Sequence, residues 1–518
     1  MICDKTCLKD LVLSEIIRTF AKNLTMSKDL GEDSYSHILK YTGIFGGVQG
    51  LIILIGLVRN KAMALLLGVG GMGFNSLLTS MQEFASRSTN LGISFGAVPR
   101  LSELYEQDDA QRLDYYISVI RLWSMIAAML GLSFCVVVSP LMNEWSFTWG
   151  DHTLHYAMLG LSVAMMAMTA GEIAILKSTR RLGSLARSQI YSVVANVIIT
   201  VPIYYFYYHS GVVPALVLMA AVNLLVTASY SYRYYPLKLN FNRGMLHDGA
   251  KMIRLGLATV LAAAIGSGIE MAVRSYLNVA GGMDEVGLYN AAYMITITYA
   301  GMVFTSMETD FFPRLSAVNK DIVATNNMVN RQMEVSLLML SPMLVVLLMM
   351  LPVLVPLFFS SEFLPVVGMA QVAVLAMYFK VLTMPVAYIT LARGYSLSFL
   401  FLETSYFVAL IMAIVVGFSL WGLYGTGIAI VVAHLFEYLM TNGYAYLKYD
   451  YRCTRMIGRY ASIQMAIGAL AFAVSVVFSG WAYWITEAAL ALASTAYSVH
   501  ILRQKTHLWE SLKRKFRI

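Results

Sequence analysis

The sequence predicts an all-α polytopic membrane protein with 14 transmembrane helices, arranged as two parallel-repeat lobes of six helices each plus two C-terminal helices. Composition, the positions of the basic residues and an internal repeat all favour this fold class. Of the 518 residues, 58% are hydrophobic and 13% are charged, whereas about a quarter of the residues in a soluble domain are charged. This composition excludes a water-soluble protein of this size.

Continuous apolar runs define the predicted spans. A helix needs about 20 apolar residues to cross the hydrocarbon core, whereas a membrane β-strand needs only about 10 and alternates in polarity. Runs of helical length predict spans 1 to 14, in order, at 43–67, 74–98, 116–140, 154–176, 187–208, 211–232, 252–276, 286–310, 334–359, 365–390, 399–420, 422–446, 459–479 and 481–502.

The lysines and arginines predict the orientation. The N-terminal segment, the even-numbered connections and the C-terminal tail contain 31 of the 37. The odd-numbered connections contain none. Because basic residues are enriched in cytoplasmic loops, both termini are predicted to be cytoplasmic. Orientation therefore accounts for the net charge of +8, and no nucleic-acid partner is expected.

An internal repeat relates the first six spans to the next six. The tetrapeptide Pro-Arg-Leu-Ser occurs at 99–102 and again at 313–316, an offset of 214 residues. The same offset relates Gly73 to Gly287 and Gly211 to Gly425. Units of six helices begin on the same side of the membrane, so the halves are parallel repeats, which commonly enclose a central cavity and alternate its access by rocking.

The spans and the repeat divide the chain into segments. The predicted segments are a cytoplasmic extension at 1–42, a first lobe at 43–235, a cytoplasmic linker at 236–251, a second lobe at 252–446, the two appended helices at 447–502 and a basic cytoplasmic tail at 503–518.

Six basic residues fall inside predicted spans, where an ionisable group is costly unless it faces protein, water or a partner. Arg121 lies near the cytoplasmic end of span 3, and we expect its side chain to snorkel to the interface. The other five are candidate ligands for an anionic substrate: Arg59, Lys61, Arg87, Arg274 and Lys380.

Arg59 is the leading candidate because no carboxylate lies three or four residues away on its helix. A guanidinium matches the geometry of a phosphate with two parallel hydrogen bonds. The alternative is snorkelling to the outer head groups. Lys61 is about 200° around the helix from Arg59, so the two side chains cannot reach the same point. Lys380 is expected either to face the cavity or to be a desolvated neutral lysine.

The acidic residues are distributed unevenly. Glu83 with Arg87, and Glu270 with Arg274, are spaced i,i+4 and can neutralise each other. Leaving aside Arg187, Arg254 and Glu334 near span boundaries, spans 1–6 hold four basic and two acidic residues, whereas spans 7–12 hold two basic and five acidic ones. The first lobe is therefore suited to an anion, and the second offers carboxylates for proton or sodium coupling. Candidate coupling residues are Glu83, Glu270, His434 and Glu437; the last two form either a protonatable pair or an interhelical hydrogen bond.

Several classes of protein are disfavoured. The chain contains no Gly-Lys dipeptide and therefore no P-loop for an ATP-driven pump. Its cysteines and histidines form no set of metal ligands, so no metal or other cofactor is expected. The longest outward connection, at about 141–153, leaves no room for a catalytic domain, and we expect no enzymatic activity.

The first two spans carry a family resemblance. The segment 59–68, Arg-Asn-Lys-Ala-Met-Ala-Leu-Leu-Leu-Gly, followed by Gly-Met-Gly-Phe at 71–74 and Leu-Gly-Ile at 91–93, resembles the opening of bacterial polysaccharide and O-antigen flippases. These proteins belong to the multidrug/oligosaccharidyl-lipid/polysaccharide exporter superfamily. Arg59 and Lys61 match basic positions frequent in the first helix of that family.

The resemblance implies transfer of an undecaprenyl-diphosphate-linked oligosaccharide repeat unit across the inner membrane, coupled to an ion gradient, for the synthesis of surface polysaccharides such as O-antigen lipopolysaccharide. Implied partners are this lipid-linked substrate, membrane lipid and the polysaccharide polymerase machinery. Alternatives are a multidrug exporter, a flippase for the peptidoglycan lipid precursor and, more distantly, a membrane glycan polymerase.

Overall fold

The structure is a computed structural model that describes residues 34–107, 109–147, 150–237, 243–299, 301, 311, 312 and 314–505. Most of the predicted N-terminal extension and of the predicted basic tail lies outside these residues, as does Pro313 of the second Pro-Arg-Leu-Ser segment. The described residues form helices and connections, with no β-strand among them.

The helices follow the predicted spans in order. They are α1 Ser34–Thr89, α2 Ile93–Glu106, α3 Ala110–Ser146, α4 Thr153–Ser178, α5 Leu182–Tyr207, α6 Val212–Tyr232, α7 Arg243–Gly281, α8 Met283–Tyr293, α9 Ile322–Phe358, α10 Val367–Ala392, α11 Ser396–Tyr449, α12 Arg455–Val477 and α13 Gly480–Lys505. Short 3₁₀ segments lie at Tyr208–Gly211 and Ser361–Val366, and a π-helical turn at Met294–Tyr299 extends α8.

Ten helical segments of the described chain are long and apolar enough to cross a membrane. Two of them, 182–232 and 396–449, each contain two predicted spans, and 50–89 contains most of spans 1 and 2; in each segment a break in the helical backbone separates the two spans. Span 8 begins in α8 and continues into 300 and 302–310, outside the described residues. The predicted architecture of two six-helix lobes plus two C-terminal helices is confirmed.

Span 2 differs from the prediction of one continuous run. The helix stops at Thr89 and restarts at Ile93, because Leu91 and Gly92 adopt left-handed backbone angles with φ of 54° and 67°. At this break the chain nearly touches α7: a Cβ added to Gly92 would lie 2.9 Å from the Cα of Gly256. The interruption thus places α2 against the second lobe, and hydropathy alone does not reveal it.

Backbone geometry repeats with the offset of 214 residues found in the sequence. Of the eleven described residues with positive φ, six form pairs at that spacing, in the connections of the two lobes. These pairs are Gly68 (67°) with Gly282 (93°), Arg180 (54°) with Gly394 (78°), and Tyr208 (48°) with Gly422 (58°). The repeat therefore extends to the conformation of the turns.

The two lobes meet closely at a glycine pair that the repeat singled out. A Cβ on Gly73 of α1 would lie 2.9 Å from the backbone nitrogen of Gly287 in α8 and would clash with the carbonyl of Met283. A Cβ on Gly287 would in turn clash with the carbonyl of Val69. Only residues without a side chain allow this approach, which brings the lobes together at the predicted outer side.

The appended helices attach to the second lobe. The Tyr483 hydroxyl of α13 donates to the carbonyl of Met349 in α9 at 2.8 Å. Within the hairpin, the Gln464 amide of α12 is bonded to Ser494 and Ser498 of α13 at 2.7 and 2.8 Å. Polar contacts thus join the two appended helices to each other and to the second lobe.

Candidate functional site

A polar cavity of about 740 Å³ lies between the lobes. Its wall is formed by α1, α4, α5 and α6 of the first lobe and by α7 and α8 of the second. Three of the five predicted anion ligands, Arg59, Arg87 and Arg274, line it. The carboxylates of Glu83 and Glu270 lie on the same wall.

Arg59 is partly buried on this wall. Its helix bends at Gly68, nine residues further on, so its Cα lies about 13 Å from that end of the span. Within the described residues, no carboxylate forms a salt bridge with Arg59. It therefore presents an uncompensated positive charge to the cavity.

Arg274 is held firmly by its surroundings. Its Nε donates to the Ser76 hydroxyl of α1 at 3.0 Å, and its Nη1 lies 3.5 Å from the carboxylate of Glu270. The guanidinium also lies 5.7 Å from the ring centre of Tyr293, whose hydroxyl donates to Glu270 at 3.3 Å. Because Ser76 belongs to the first lobe and Arg274 to the second, this contact joins the lobes across the cavity.

Arg87 and Glu83 form the other predicted pair, at 3.4 Å. Their side chains are 52% and 44% exposed, so water reaches both groups and their mutual attraction is weak. Each can therefore exchange its partner for another polar or charged group at small cost.

Neutral polar side chains complete the wall, and the prediction missed them. Asn75, Ser76, Thr79 and Ser80 line the cavity on the same helix as Glu83 and Arg87. Their spacing of three and four residues places them on one face of the helix. This polar stripe in an otherwise apolar span was the available signal. Asn223 and Asn290 contribute amides from α6 and α8.

A second chamber of about 290 Å³ lies in the second lobe. Lys380 of α10 lies 3.3 Å from the Glu437 carboxylate of α11 and 5.6 Å from the ring centre of Tyr406. Glu403 and His434 also line this chamber. Side chains from predicted spans 10, 11 and 12 therefore line one chamber: Lys380, Glu403, His434 and Glu437.

The two chambers share part of their walls. Glu270, Tyr293, Ile297 and Gly301 line both. A rearrangement of Glu270 or Tyr293 therefore changes the walls of the larger cavity and of the chamber around Lys380 at the same time.

His434 is bonded within its own helix and is almost fully buried, with Nδ1 3.1 Å from the carbonyl of Ile430. Its ring contacts Tyr406 edge to face, with ring centres 5.0 Å apart. Within this described helix, His434 and Glu437 are spaced i,i+3 but form no hydrogen bond with each other. Glu437 instead accepts a hydrogen bond from Lys380.

Lys61 is not among the residues that line either chamber. Its ammonium donates to the carbonyl of Pro356 in α9 at 2.7 Å. That carbonyl is one of the last four of α9 and has no partner within the helix. Lys61 therefore caps a helix of the opposite lobe.

The expectation that Arg121 snorkels is wrong. Its Nε and Nη2 donate to the Glu172 carboxylate of α4 at 2.8 and 3.2 Å, and the two side chains are only 10% and 5% exposed. Nη2 also donates to the carbonyl of Tyr235 at 2.8 Å. An apolar span shows the position of a charge along the helix but not which neighbouring helix it faces.

No group of three or more histidine, cysteine, aspartate or glutamate side chains in the described ranges is placed to bind a metal ion.

Solved structures of several transporters share this fold. The lipid II flippase MurJ in an inward closed conformation superposes with a TM-score of 0.68 at 13% identity, covering 89% of this chain and 99% of the other. An inward-facing multidrug resistance MATE family transporter gives 0.61 at 14%, covering 77% and 94%. The MATE multidrug transporter DinF-BH gives 0.58 at 15%, covering 82% and 98%.

No curated protein sequence matches this chain. The family described as "Polysaccharide biosynthesis protein" matches residues 62–368, which is more than half of the chain. This segment includes the polar stripe of α1, Arg274 and the whole of α8 and α9. With its fold shared by flippases and multidrug transporters, the chain belongs to the polysaccharide biosynthesis protein family.

Proposed function

We propose that this protein flips an undecaprenyl-diphosphate-linked oligosaccharide repeat unit from the cytoplasmic to the outer leaflet of the bacterial inner membrane, for surface polysaccharide synthesis. Both termini are then cytoplasmic, as the basic residues predict. The observation that carries the proposal is the cavity between the lobes, in which three arginines stand beside a set of amide and hydroxyl side chains.

The charges of this cavity suit a diphosphate. Arg59 has no carboxylate partner among the described residues, and the exposed Glu83–Arg87 pair can separate at small cost. Arginine binds phosphate through two parallel hydrogen bonds, which a lysine cannot reproduce. We infer that Arg59 and Arg87 bind the diphosphate, while Arg274 positions Ser76 and Glu270.

The neutral side chains suit sugars. Sugar hydroxyls both donate and accept hydrogen bonds, as do the amides of Asn75, Asn223 and Asn290 and the hydroxyls of Thr79 and Ser80. These groups provide hydrogen bonds without adding charge. The family description is consistent with such a substrate.

The second chamber is the proposed place of ion coupling. Lys380, Glu403, His434 and Glu437 change their mutual interactions when a proton or sodium ion binds, since each carries or can carry a charge. Glu270 borders both chambers and thereby links ion occupancy to the wall that faces the substrate. Alternating access then follows from rocking of the parallel repeats.

The deciding experiment replaces Arg59. In a strain that lacks the wild-type gene, Arg59→Ala should reduce surface polysaccharide at least tenfold and cause lipid-linked repeat units to accumulate in the inner leaflet. Arg59→Lys should restore only part of the activity. Arg100→Ala is the matched control, because it removes an exposed arginine that pairs with Glu103 at 2.7 Å, outside the cavity. Normal polysaccharide in a correctly inserted Arg59→Ala protein would contradict the role of Arg59.

One observation favours a second candidate function, the export of cationic drugs. The smaller chamber combines aromatic side chains with Glu403 and Glu437, and cations are attracted to both. Drug susceptibility that rises in a deletion strain while surface polysaccharide stays normal would support export. A requirement of the gene for growth would instead indicate a flippase for the peptidoglycan lipid precursor.

A further inference from the structure

The second appended helix contains a buried acidic residue that the proposed mechanism does not use. Between Gly480 and Val499 of α13, Glu487 is the only Asp, Glu, Lys, Arg or His. None of its surface is exposed. It lines neither the cavity between the lobes nor the chamber around Lys380. A carboxyl group at such a place in a membrane span is costly unless something compensates its charge.

Glu487 belongs to a polar face of α13. Tyr483, Glu487, Ser494 and Ser498 follow each other at intervals of four, seven and four residues, so they lie within about 60° around the helix. Tyr483 donates its hydroxyl to a carbonyl of α9 at 2.8 Å. Ser494 and Ser498 are bonded to a glutamine amide of α12 at 2.7 and 2.8 Å. The face that carries Glu487 is therefore the one that packs against α9 and α12.

Glu487 differs from the other members of this face in its hydrogen bonding. Both of its carboxylate oxygens are buried, and neither has a hydrogen-bond partner in the described part of the chain. Buried polar side chains are bonded in the large majority of cases. The neighbours of Glu487 thus provide no donor that would stabilise a negative charge on it.

No positive charge compensates Glu487 either. It forms no salt bridge among the described residues. The neighbouring segments, 335–358 of α9, 367–379 of α10 and 460–477 of α12, contain no Asp, Glu, Lys, Arg or His. Their titratable side chains are tyrosines: Tyr378 donates to a carbonyl of α9 at 3.5 Å, and Tyr460 packs against Tyr497 with ring centres 6.3 Å apart.

An ionised carboxylate is therefore unstable at this position. The transfer of a charge out of water costs far more than the transfer of a neutral polar group. A metal cation would offset this cost only with several oxygen ligands, and Tyr483, one turn before Glu487, directs its hydroxyl to a carbonyl. A proton removes the charge and needs no further ligand. The neutral acid is the form that this packing accommodates.

The position of Glu487 along α13 determines the side from which a proton arrives. The helix begins at Gly480, on the predicted outer side, and Glu487 lies about 10 Å further along its axis. At this end Trp481 is 83% exposed, and exposed tryptophan is typical of the membrane interface. Separation of α13 from α9 at this end would bring outer water to the carboxyl group.

We propose that Glu487 is a proton-binding site of the appended helices. The carboxyl group holds a proton while α13 is packed against α9, and it releases this proton to water when the two helices separate at the outer side. Protons on that side therefore favour the attachment of the appended helices to the second lobe. The site is separate from the substrate cavity and the coupling chamber and does not depend on the proposed function.

The test is infrared spectroscopy of the full-length protein, purified in detergent at neutral pH. The spectrum of wild type minus that of Glu487→Gln should contain the carbonyl-stretching band of a protonated carboxylic acid. Glu103→Gln is the matched control, because it removes an exposed glutamate that pairs with Arg100 at 2.7 Å. Its difference spectrum should contain only the bands of an ionised carboxylate.

Thermal unfolding gives a second readout. Glutamine matches the protonated acid in size and charge, so Glu487→Gln should unfold at the temperature of wild type or above it. Above pH of about 5 the unfolded chain has released this proton, whereas the folded protein still holds it. A rise from about pH 5 to about pH 8 should therefore lower the unfolding temperature of wild type by a few degrees more than that of the variant.

Three outcomes would overturn the proposal. The first is an ionised carboxylate in the difference spectrum of Glu487→Gln. The second is an unfolding temperature that rises with sodium or potassium concentration in wild type but not in this variant, which would indicate a site for a metal cation. The third is a Glu487→Gln protein that does not fold, since glutamine reproduces the neutral acid; a folded Glu487→Asp protein would then assign the role to the negative charge.

Discussion

The two lobes share one fold but place their buried ion pairs at different positions. In the first lobe Arg121 of α3 binds Glu172 of α4, and neither residue lines the cavity between the lobes. The residues 214 positions later are Val335 and Val386. Both corresponding positions of the second lobe are thus apolar.

The second lobe has an ion pair at positions that are uncharged in the first. Lys380 and Glu437 lie 3.3 Å apart on the chamber wall, and their first-lobe counterparts are Met166 and Asn223. Both counterparts line the larger cavity. Neither pair is therefore common to both lobes, and of the two only the Lys380–Glu437 pair lines a chamber.

Separating the first-lobe pair should have the largest effect. Glu172→Val leaves the Arg121 guanidinium buried without its carboxylate and should lower the free energy of unfolding by about 3–5 kcal/mol. Arg121→Val/Glu172→Val removes both charges and introduces the residues that the second lobe has at these positions, so it should recover most of this loss. Denaturant titration of the purified protein measures both. Equal losses in the single and double variants would contradict the comparison.

Replacing Lys380 and Glu437 by their first-lobe counterparts distinguishes a role in stability from the proposed role in ion coupling. Glu437→Asn alone should cost about 2–3 kcal/mol of unfolding free energy, less than a fully buried pair because Lys380 is 32% exposed. Lys380→Met/Glu437→Asn should restore stability, yet flipping in vesicles should no longer respond to an imposed ion gradient. A full response to the gradient in that double variant would exclude this pair from coupling.

The paired turns should respond alike. Gly68 and Gly282 have φ of 67° and 93°, and alanine at either position should cost about 1–2 kcal/mol because a Cβ disfavours left-handed angles. Gly443→Ala is the control, since Gly443 is helical with open space at its Cβ. Thermal unfolding compares the three variants, and a tolerated Gly282→Ala beside a damaging Gly68→Ala would show that the turns are not equivalent.

The smallest expected effect is on the pH dependence of stability, and it arises from His152 in the connection before α4. Burial, helped by the neighbouring His155, lowers the pKa of His152 below its usual value of 6.5; the two Nδ1 atoms are 3.0 Å apart. Since the unfolded state binds the proton more readily, the contribution of His152 to stability is complete above pH of about 6.5 and declines as pH falls toward the folded pKa.

The second lobe has Val366 at the position of His152. His152→Val should therefore reduce the loss of thermal stability that occurs as pH falls below about 6.5. An unchanged pH profile in that variant would assign the dependence to other groups.

The spans could be predicted from the sequence because hydropathy shows which residues lie within the membrane and basic residues show which connections are cytoplasmic. The tetrapeptide at 99–102 and 313–316 revealed the repeat. The sequence was insufficient for side-chain partners. Spans that are apolar on all faces contain no signal for which neighbour Arg121 faces, and the pairing of Lys380 with Glu437 depends on the approach of α10 to α11. The i,i+4 pairs were predictable because one helix fixes both members.

Lys61 stabilises the closed contact between the two lobes. Its hydrogen bond to the Pro356 carbonyl joins the lobes near the predicted outer face, and a hydrogen bond from a charged donor contributes about 1.5–3 kcal/mol. Any motion that opens this face breaks it. Each increment of about 1.4 kcal/mol changes an equilibrium tenfold, so this single ammonium can reduce the open population by a factor of about ten to a hundred. A residue of the first helix thereby shifts the balance between closed and open arrangements of the lobes, although it lines neither chamber.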